Sequence, residues 1–481
     1  MLNSSRRYDV IIIGAGLEGL LCAALLAKRG KRVVVLEEAP TAGGASLQIA
    51  KNGYTFIKGP TLFLGFERDG LYDRLFTELG LSLALLKREG VIFQKSQPPL
   101  QIILPDHRLD YFTEPGELME ELKREFPDQV QELRSFWDEM ERWEQIIRPR
   151  MHQAQRTKPA SMQGWIHEFR ERMRYLSAVR TQRKRPALEF VRQHRLDPQI
   201  QRGLELLLLI FIGKAMDEAT GLDLVHLLGL IQREMITLGG GIPRLAALLV
   251  KVIRENQGEV VYGQPAGELI IQHRSTDGVR TIDGEAIHGT STILNLPWHS
   301  AAGGPSGRKE FTLYFGIADN VLPPPMKSHL LFLQSYERPS IDDNFLYVRL
   351  NSSADEGAAP KGQRALQVIG YLAETDLPRR EVLQGLVKSV TAHLTWLIPF
   401  SDGALTYLGD DLGETEATTR IPLKLAEQLQ RTRRVMRDGA CYYTTSLKNL
   451  YLLPDLGRRP VAALESARSA IELADQVAKN V

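Results

Sequence analysis

The stretch "YDVIIIGAGLEGLLCAALLAKRGKRVVVLEE" (residues 8–38) reads as strand, glycine turn, helix and second strand. Residues 10–13 are apolar without a break, as a strand buried on both faces requires. Leu17, Leu20, Leu21, Ala24 and Leu25 then recur at helical spacing, and Gly30 supplies a helix stop. Residues 33–36 form a second buried strand, which ends at Glu37. Gly14, Gly16 and Gly19 carry the chemistry of the turn: the first permits the bend, the second admits a pyrophosphate and the third lets helix and strand pack closely. The free N–H groups at the helix start face such an anion. Glu37 follows the second glycine by about 20 residues, the distance at which an acid meets ribose hydroxyls, and an acid there favours a ribose without a 2′-phosphate. Glu18 sits inside the turn. It either points outward, which is the expectation, or faces the pyrophosphate at a cost of roughly 3 kcal/mol per phosphate charge at about 5 Å and an effective dielectric of about 20.

The rest of the chain limits what this unit belongs to. With 481 residues, 43% of them hydrophobic and 25% charged, it is expected to fold around more than one core. A formal charge of +2 gives no basis for a nucleic-acid partner. Two cysteines, Cys22 and Cys441, are too few for a disulfide framework and fit a reducing compartment. No two histidines stand three or four residues apart, so no metal site is expected. The N-terminal apolar run ends at a glycine loop and does not read as a signal peptide. The longest greasy run, "LELLLLIFIG" (residues 204–213), is far below the ~20 residues that span a bilayer. A cytoplasmic protein is expected, soluble or peripheral on the inner face of a membrane.

Beyond the second strand, "EEAPTAGGASLQIAKNGYTFIKGPTLFLG" adds the pair Gly43 and Gly44, then Gly53-Tyr54-x-Phe56 and Gly59-Pro60. Here the sequence resembles the phytoene desaturase and carotenoid isomerase branch of the FAD-dependent oxidoreductases, within the amine oxidase superfamily. The resemblance continues through "GGGIPRLAALLVKVIRENQGEVVYGQPAGELII" and "TILNLPWHS", and covers nearly the whole chain. It implies FAD as cofactor, with Gly43 and Gly44 along the flavin side, Gly59-Pro60 at the entrance, and the backbone of Ala266 against adenine. It also implies that the last strand ends at an aspartate that meets the ribityl chain, here Asp455. The closing motif departs from the family's: Pro454 and Ala467 replace glycines, Ser466 and Arg468 remain, and a shortened loop carrying Arg458 and Arg459 reshapes the flavin's surroundings.

The fold implied is α/β: a discontinuous Rossmann-type FAD-binding domain (1–85, 236–300 and 436–481) and an α+β substrate domain (86–235 and 301–435) with a largely antiparallel sheet. Alternation in "EFTLYFGIAD" and "FLYVRL" supports that sheet, with helices over 117–147 and near 383–397 packed on it. The residues alone name no catalytic group. Lys214, Asp217, Glu218 and His226 are polar residues in an apolar segment that could face the substrate, or they serve structure. The function implied is an oxidoreductase or isomerase of a hydrophobic, polyene-like substrate. An amine oxidase-like dehydrogenase is the alternative, and a non-catalytic lipid binder on the same fold, as the Rab GDP dissociation inhibitors are, belongs to another class.

One segment stands apart. Residues 148–195 hold thirteen Arg and Lys against three Glu. Within them Trp165, Phe169, Met173 and Leu176 make one helical stripe among arginines, which fits either an interfacial helix or an ordinary core stripe under a charged face.

Overall fold

The computed structural model describes residues 7–44, 46–151, 161–296, 307–351, 355, 357–373, 380–412, 422–432, 434–436, 442–453 and 459–481. Its centre is the unit read first: β1 (Tyr8–Ile13), α1 (Leu17–Lys28) and β2 (Val33–Glu37). β1 and β2 run parallel, with Val10 opposite Val33 and Ile13 opposite Leu36. Among the described residues their sheet has nine strands. The strand Glu259–Tyr262 extends it beyond β2, and Ala286–Leu294 lies on the other side of β1, followed by Leu450–Leu452, all parallel. The strands Tyr443–Thr445 and Arg434–Met436 close that edge antiparallel. A hairpin of Ala266–Gln272 and Ser275–Thr281 folds back onto Ala286–Leu294.

α1 is buried throughout from Leu17 to Ala27, not on one face alone. Its neighbours explain this: it lies on the sheet between the helix Gly241–Glu255 and the closing helix Pro460–Ala478. Leu245, Leu248, Leu249, Val252 and Ile253 of the first and Ala467, Ala470 and Ala474 of the second are all buried, so small and branched side chains let three helices pack closely. On the sheet's opposite face, the helix Leu423–Gln430 buries Leu425 and Leu429 with Ile11, Ile13, Val34 and Ala266.

Among the described residues the second large sheet has seven strands, in the order Leu405–Asp410, Arg308–Ala318, Gln363–Ala373, Asp342–Leu350, His329–Leu333, Leu100–Ile103 and Arg108–Tyr111. Every pairing is antiparallel except that of His329–Leu333 with Leu100–Ile103. The helix Arg380–Leu397 covers one face, where Val390 and Leu394 meet Phe311, Leu346 and Val368. The helical span expected over 117–147 holds two helices, Pro115–Glu125 and Val130–Met151, separated by a short turn at Pro127–Gln129. The reason is local: a proline biases the residue before it away from helical backbone, and Phe126 adopts φ −130° and ψ 64°. The second of the two packs on Met162–Lys184 and Gly221–Ile231 rather than on the sheet.

Candidate functional site

The turn after β1 is built so that nothing larger than glycine fits. Gly14 has φ +97°, and a Cβ there would stand 2.1 Å from the Asn295 carbonyl oxygen. A Cβ on Gly16 would meet Asn295 Oδ1 at 2.6 Å, and one on Gly19 would meet the Gly14 carbonyl at 2.6 Å. Asn295, at the end of the strand Ala286–Leu294, accepts a hydrogen bond from Gly19 N at 3.1 Å and so holds the start of α1 against the sheet. The second glycine pair folds onto the first: Gly43 N donates to the Ala15 carbonyl at 2.9 Å, and a Cβ on Gly44 would lie 3.1 Å from Gly16 Cα.

Glu37 closes this cradle from the side. Its carboxylate accepts from Ala15 N at 2.6 Å and Ala39 N at 2.8 Å. Burial pushes its carboxyl group above the ordinary value, and those two N–H donors act against the rise. Gln264 N donates to the Glu37 carbonyl at 3.0 Å, which brings the loop before Ala266 to the same strand end. Ala266 is itself buried and opposite Thr281.

Glu18 does not point outward. It is 7% exposed, and its Oε1 lies 2.5 Å from Ser466 Oγ of the closing helix. Its Oε2 stands 3.5 Å from where a Cβ of Gly16 would be. The burial of every side of α1 leaves no outward direction at position 18, and only a polar partner across the helix interface makes a carboxylate tolerable there.

Asp455 lies outside the described residues, with the rest of 454–458. Arg459, the first described residue after them, turns inward. Its guanidinium pairs with Glu310 at 2.6 Å, stands 5.5 Å from the centre of the Tyr371 ring and donates to the Leu209 carbonyl at 3.3 Å. Burial opposes its charge, yet Glu310 and Tyr371 outweigh that and hold it above the ordinary value. This pair borders a cavity of about 40 Å³ between Gly59-Pro60, Pro460 and the second sheet.

A larger cavity, about 240 Å³, adjoins it and shares Ile57, Thr61, Arg349 and Gln367 with it. Arg349, on the strand Asp342–Leu350, is 4% exposed. It donates to the Gly59 carbonyl at 2.7 Å, to Thr61 Oγ1 at 3.4 Å, to Gln367 Oε1 and to the Ile57 carbonyl. His329, 2% exposed, contacts Tyr347 OH at 2.8 Å and Thr237 Oγ1 at 3.3 Å. Burial first, and the Arg349 charge second, push its imidazole down to about 3, so it is neutral near pH 7.

The four polar residues of the apolar segment divide differently. Lys214 pairs with Asp223 at 2.8 Å, Glu218 accepts from Ala215 N at 3.1 Å, and Asp217 is exposed. Asp223 also completes a capping box with Thr220, so these groups shape the turn into a helix. His226 lies 3.7 Å from Glu465. None of the four lines the cavity at Arg349. Sequence reading gave no role to Asn295, Arg349 or His329. Asn295 had a signal, a polar residue at the end of an apolar strand, but a lone arginine and histidine in other strands had none.

On the outer surface, the stripe of the helix Met162–Lys184 is open to solvent: Trp165 is 55% exposed and Phe169 64%, with Met173 and Leu176 also exposed. Tyr175 and Ala178 face the neighbouring helices instead. Among the described residues no helix is long and apolar enough to cross a membrane, and no cluster of His, Cys, Asp and Glu could hold a metal ion.

Residues 12–79 match the model of an NAD(P)-binding Rossmann-like domain. Across 401 residues the chain is 23% identical to a 4,4′-diapophytoene desaturase (4,4′-diapolycopene-forming) of Methylomonas sp, over 76% of this chain and 74% of that one. It is 22% identical to a chloroplastic prolycopene isomerase of Daucus carota over 76% of this chain and 62% of the isomerase. Among solved structures, an oxidoreductase from Methanosarcina mazei superposes with a TM-score of 0.62 at 17% identity, over 97% of this chain and 100% of that one, a likeness of fold.

Proposed function

This chain being a relative of the phytoene desaturase and carotenoid isomerase branch of the FAD-dependent oxidoreductases, we propose that it is an FAD-dependent oxidoreductase or isomerase of a hydrophobic, polyene-like substrate. The observation that carries the reading is the cradle at the end of β1, where three glycines admit no Cβ and the Glu37 carboxylate stands beside them. Those features fit the adenosine and pyrophosphate half of FAD. Gly14, Gly16 and Gly19 would line the pyrophosphate, Glu37 the ribose, the backbone of Ala266 the adenine, and Gly43, Gly44 and Asp455 the flavin side. The domain division at 1–85, 236–300 and 436–481 against 86–235 and 301–435 belongs to the same proposal.

Bound FAD supplies two-electron redox chemistry. The chain supplies position and exclusion of water: Arg349 fixes the carbonyls at Ile57 and Gly59, and the Arg459–Glu310 pair closes the space beside Pro60. That narrow space is also where the sequence departs from the family, so the adenosine half is the better supported. The polyene rests on the names of the relatives, and the amine oxidase-like alternative has no comparable support at this cavity, whose one fully buried charge is a cation.

The reading includes contact with a membrane surface through 148–195, from which lipophilic substrates would be drawn. The exposed stripe at Trp165 and Phe169, flanked by exposed Arg170, Arg172 and Arg174, supports it. The experiment that tests the cofactor is the absorbance of the purified protein. A flavin spectrum is expected in the wild type, and Gly16→Val should lose it, because the added side chain would collide with Asn295. A colourless wild type that also fails to take up added FAD would falsify the proposal.

A further inference from the structure

The wall between the two cavities carries a line of groups that each give and take a proton. Tyr347 OH stands 2.8 Å from His329 Nδ1, and His329 Nε2 stands 3.3 Å from Thr237 Oγ1. A hydroxyl donates and accepts at one atom, and a neutral imidazole donates at one nitrogen and accepts at the other. Burial and the Arg349 charge hold the imidazole down at about 3, and burial pushes the Tyr347 hydroxyl up to about 12 against Arg349 and a bond from Thr61. Neither group keeps a charge near pH 7, so a proton entering the line has no place to rest in it.

The two ends of the line lie in different spaces. Tyr347 lines the smaller cavity, beside Pro60 and Arg459, and none of the described residues around that cavity is exposed. His329 and Thr237 line the larger one, where Gln48, Arg244 and Gly357 are exposed. Its polar edges at Thr55, Asn351 and Gln367 suit water. Between the two spaces stands Arg349, bonded to the carbonyls at Ile57 and Gly59. A fixed guanidinium repels a hydronium ion, whereas a hydrogen-bonded line moves the charge without admitting one.

We propose that Tyr347, His329 and Thr237 form a proton relay that joins the enclosed cavity to the open one. A proton delivered to the Tyr347 oxygen forms an O–H bond there as the tyrosine's own proton passes to His329 Nδ1. The hydrogen on Nε2 then passes to Thr237 Oγ1, and the threonine's own proton leaves to water in the larger cavity. One proton enters, one leaves, and no electron moves along the line. Run in reverse, the same line brings a proton inward and restores the first tautomer. The inference rests on reading the smaller cavity as part of the proposed flavin site. Making a double bond removes a hydride and a proton from neighbouring carbons; the hydride is the flavin's to take, and the relay carries the proton.

The test reads the exchange of the Tyr347 hydroxyl hydrogen in heavy water, by carbon-13 NMR of the whole protein labelled at tyrosine Cζ, whose signal moves when deuterium replaces hydrogen. Tyr72 and Tyr371 are the references: both are fully buried, and their hydroxyls donate to the carbonyls of Ala463 and Leu209. Tyr347 is expected to exchange at least tenfold faster than either. Thr237→Val, which cuts the line at its open end, should slow Tyr347 at least tenfold and leave the references unslowed, and Thr237→Ser should return it to within about threefold of the wild type. A merely structural role gives the opposite sign, because a loosened fold exchanges faster. A wild-type Tyr347 no faster than the references would overturn the proposal, and so would a Thr237→Val protein in which its rate is unchanged or raised. Flavin content is measured by absorbance on the same samples, so the two readings fail separately. A flavin-loaded protein with slow Tyr347 exchange sinks the relay, whereas fast exchange in a protein that cannot take FAD sinks the cofactor.

Discussion

Glu18 is the residue whose placement bears directly on the proposed FAD site, since it is buried beside Gly16. The Glu18 carboxyl group has Ser466 Oγ among its partners and lies next to the place where the proposed pyrophosphate would lie. Glu18→Gln keeps the hydrogen bond to Ser466 and removes the charge. It is expected to tighten FAD by tenfold or more, since even half of the roughly 3 kcal/mol Coulomb cost at about 5 Å exceeds the 1.4 kcal/mol of one decade. Equal dissociation constants for the two proteins would show that the carboxylate does not sense the phosphates.

His329 makes a prediction about acid stability. Its folded pKa is about 3, whereas the unfolded chain titrates near 6.5. Between those values only the unfolded chain binds the proton, so stability is complete above pH 6.5 and falls as pH drops through the window. From pH 7 to pH 5 this one group removes about 2 kcal/mol. His329→Gln should lose that much less over the same range in urea titrations, and an unchanged pH dependence would count against a neutral buried imidazole.

At the scale of elements, the Arg459–Glu310 pair joins the start of the closing helix to the second sheet. Both side chains are mostly covered, so removing either partner strands the other, and each of Arg459→Met and Glu310→Gln should cost about 2–3 kcal/mol. The double variant should cost little more than one single change, a coupling that a denaturation cycle measures. Strictly additive losses would mean that the two groups are not partners in solution.

How much could be read from the sequence is clearest at this scale. β1, α1 and β2 were legible because each is specified within its own residues, by apolar runs and by glycines that backbone geometry demands. The turn at Pro127 within the helical span 117–147 is equally local, since the proline itself marks it. Glu18 with Ser466, Gly19 with Asn295, and Arg349 with the 57–61 segment were not legible. Each joins residues far apart in sequence, and nothing local marks the partner.

For the whole molecule, the open stripe on the helix Met162–Lys184 predicts a dependence on surfaces. Burying Trp165 and Phe169 in a lipid interface contributes roughly 1.5–3 kcal/mol each, and nearby arginines add attraction to anionic headgroups. Binding to vesicles rich in anionic lipid is therefore expected to fall more than tenfold in a Trp165→Ser, Phe169→Ser protein, and to weaken with salt in the wild type. Co-flotation that neither change alters would assign this stripe to another purpose.

The cradle also has a history within each molecule. Gly19 leans on a residue 276 positions later, and Glu18 on one 448 positions later. During synthesis the first strand and helix leave the ribosome early, with apolar sides that only later segments cover. The proposed nucleotide site is thus finished only after segments hundreds of residues downstream have been made. A chain released before residue 466 would lack that cover, and chaperones and proteases would meet it with α1 uncovered on one side.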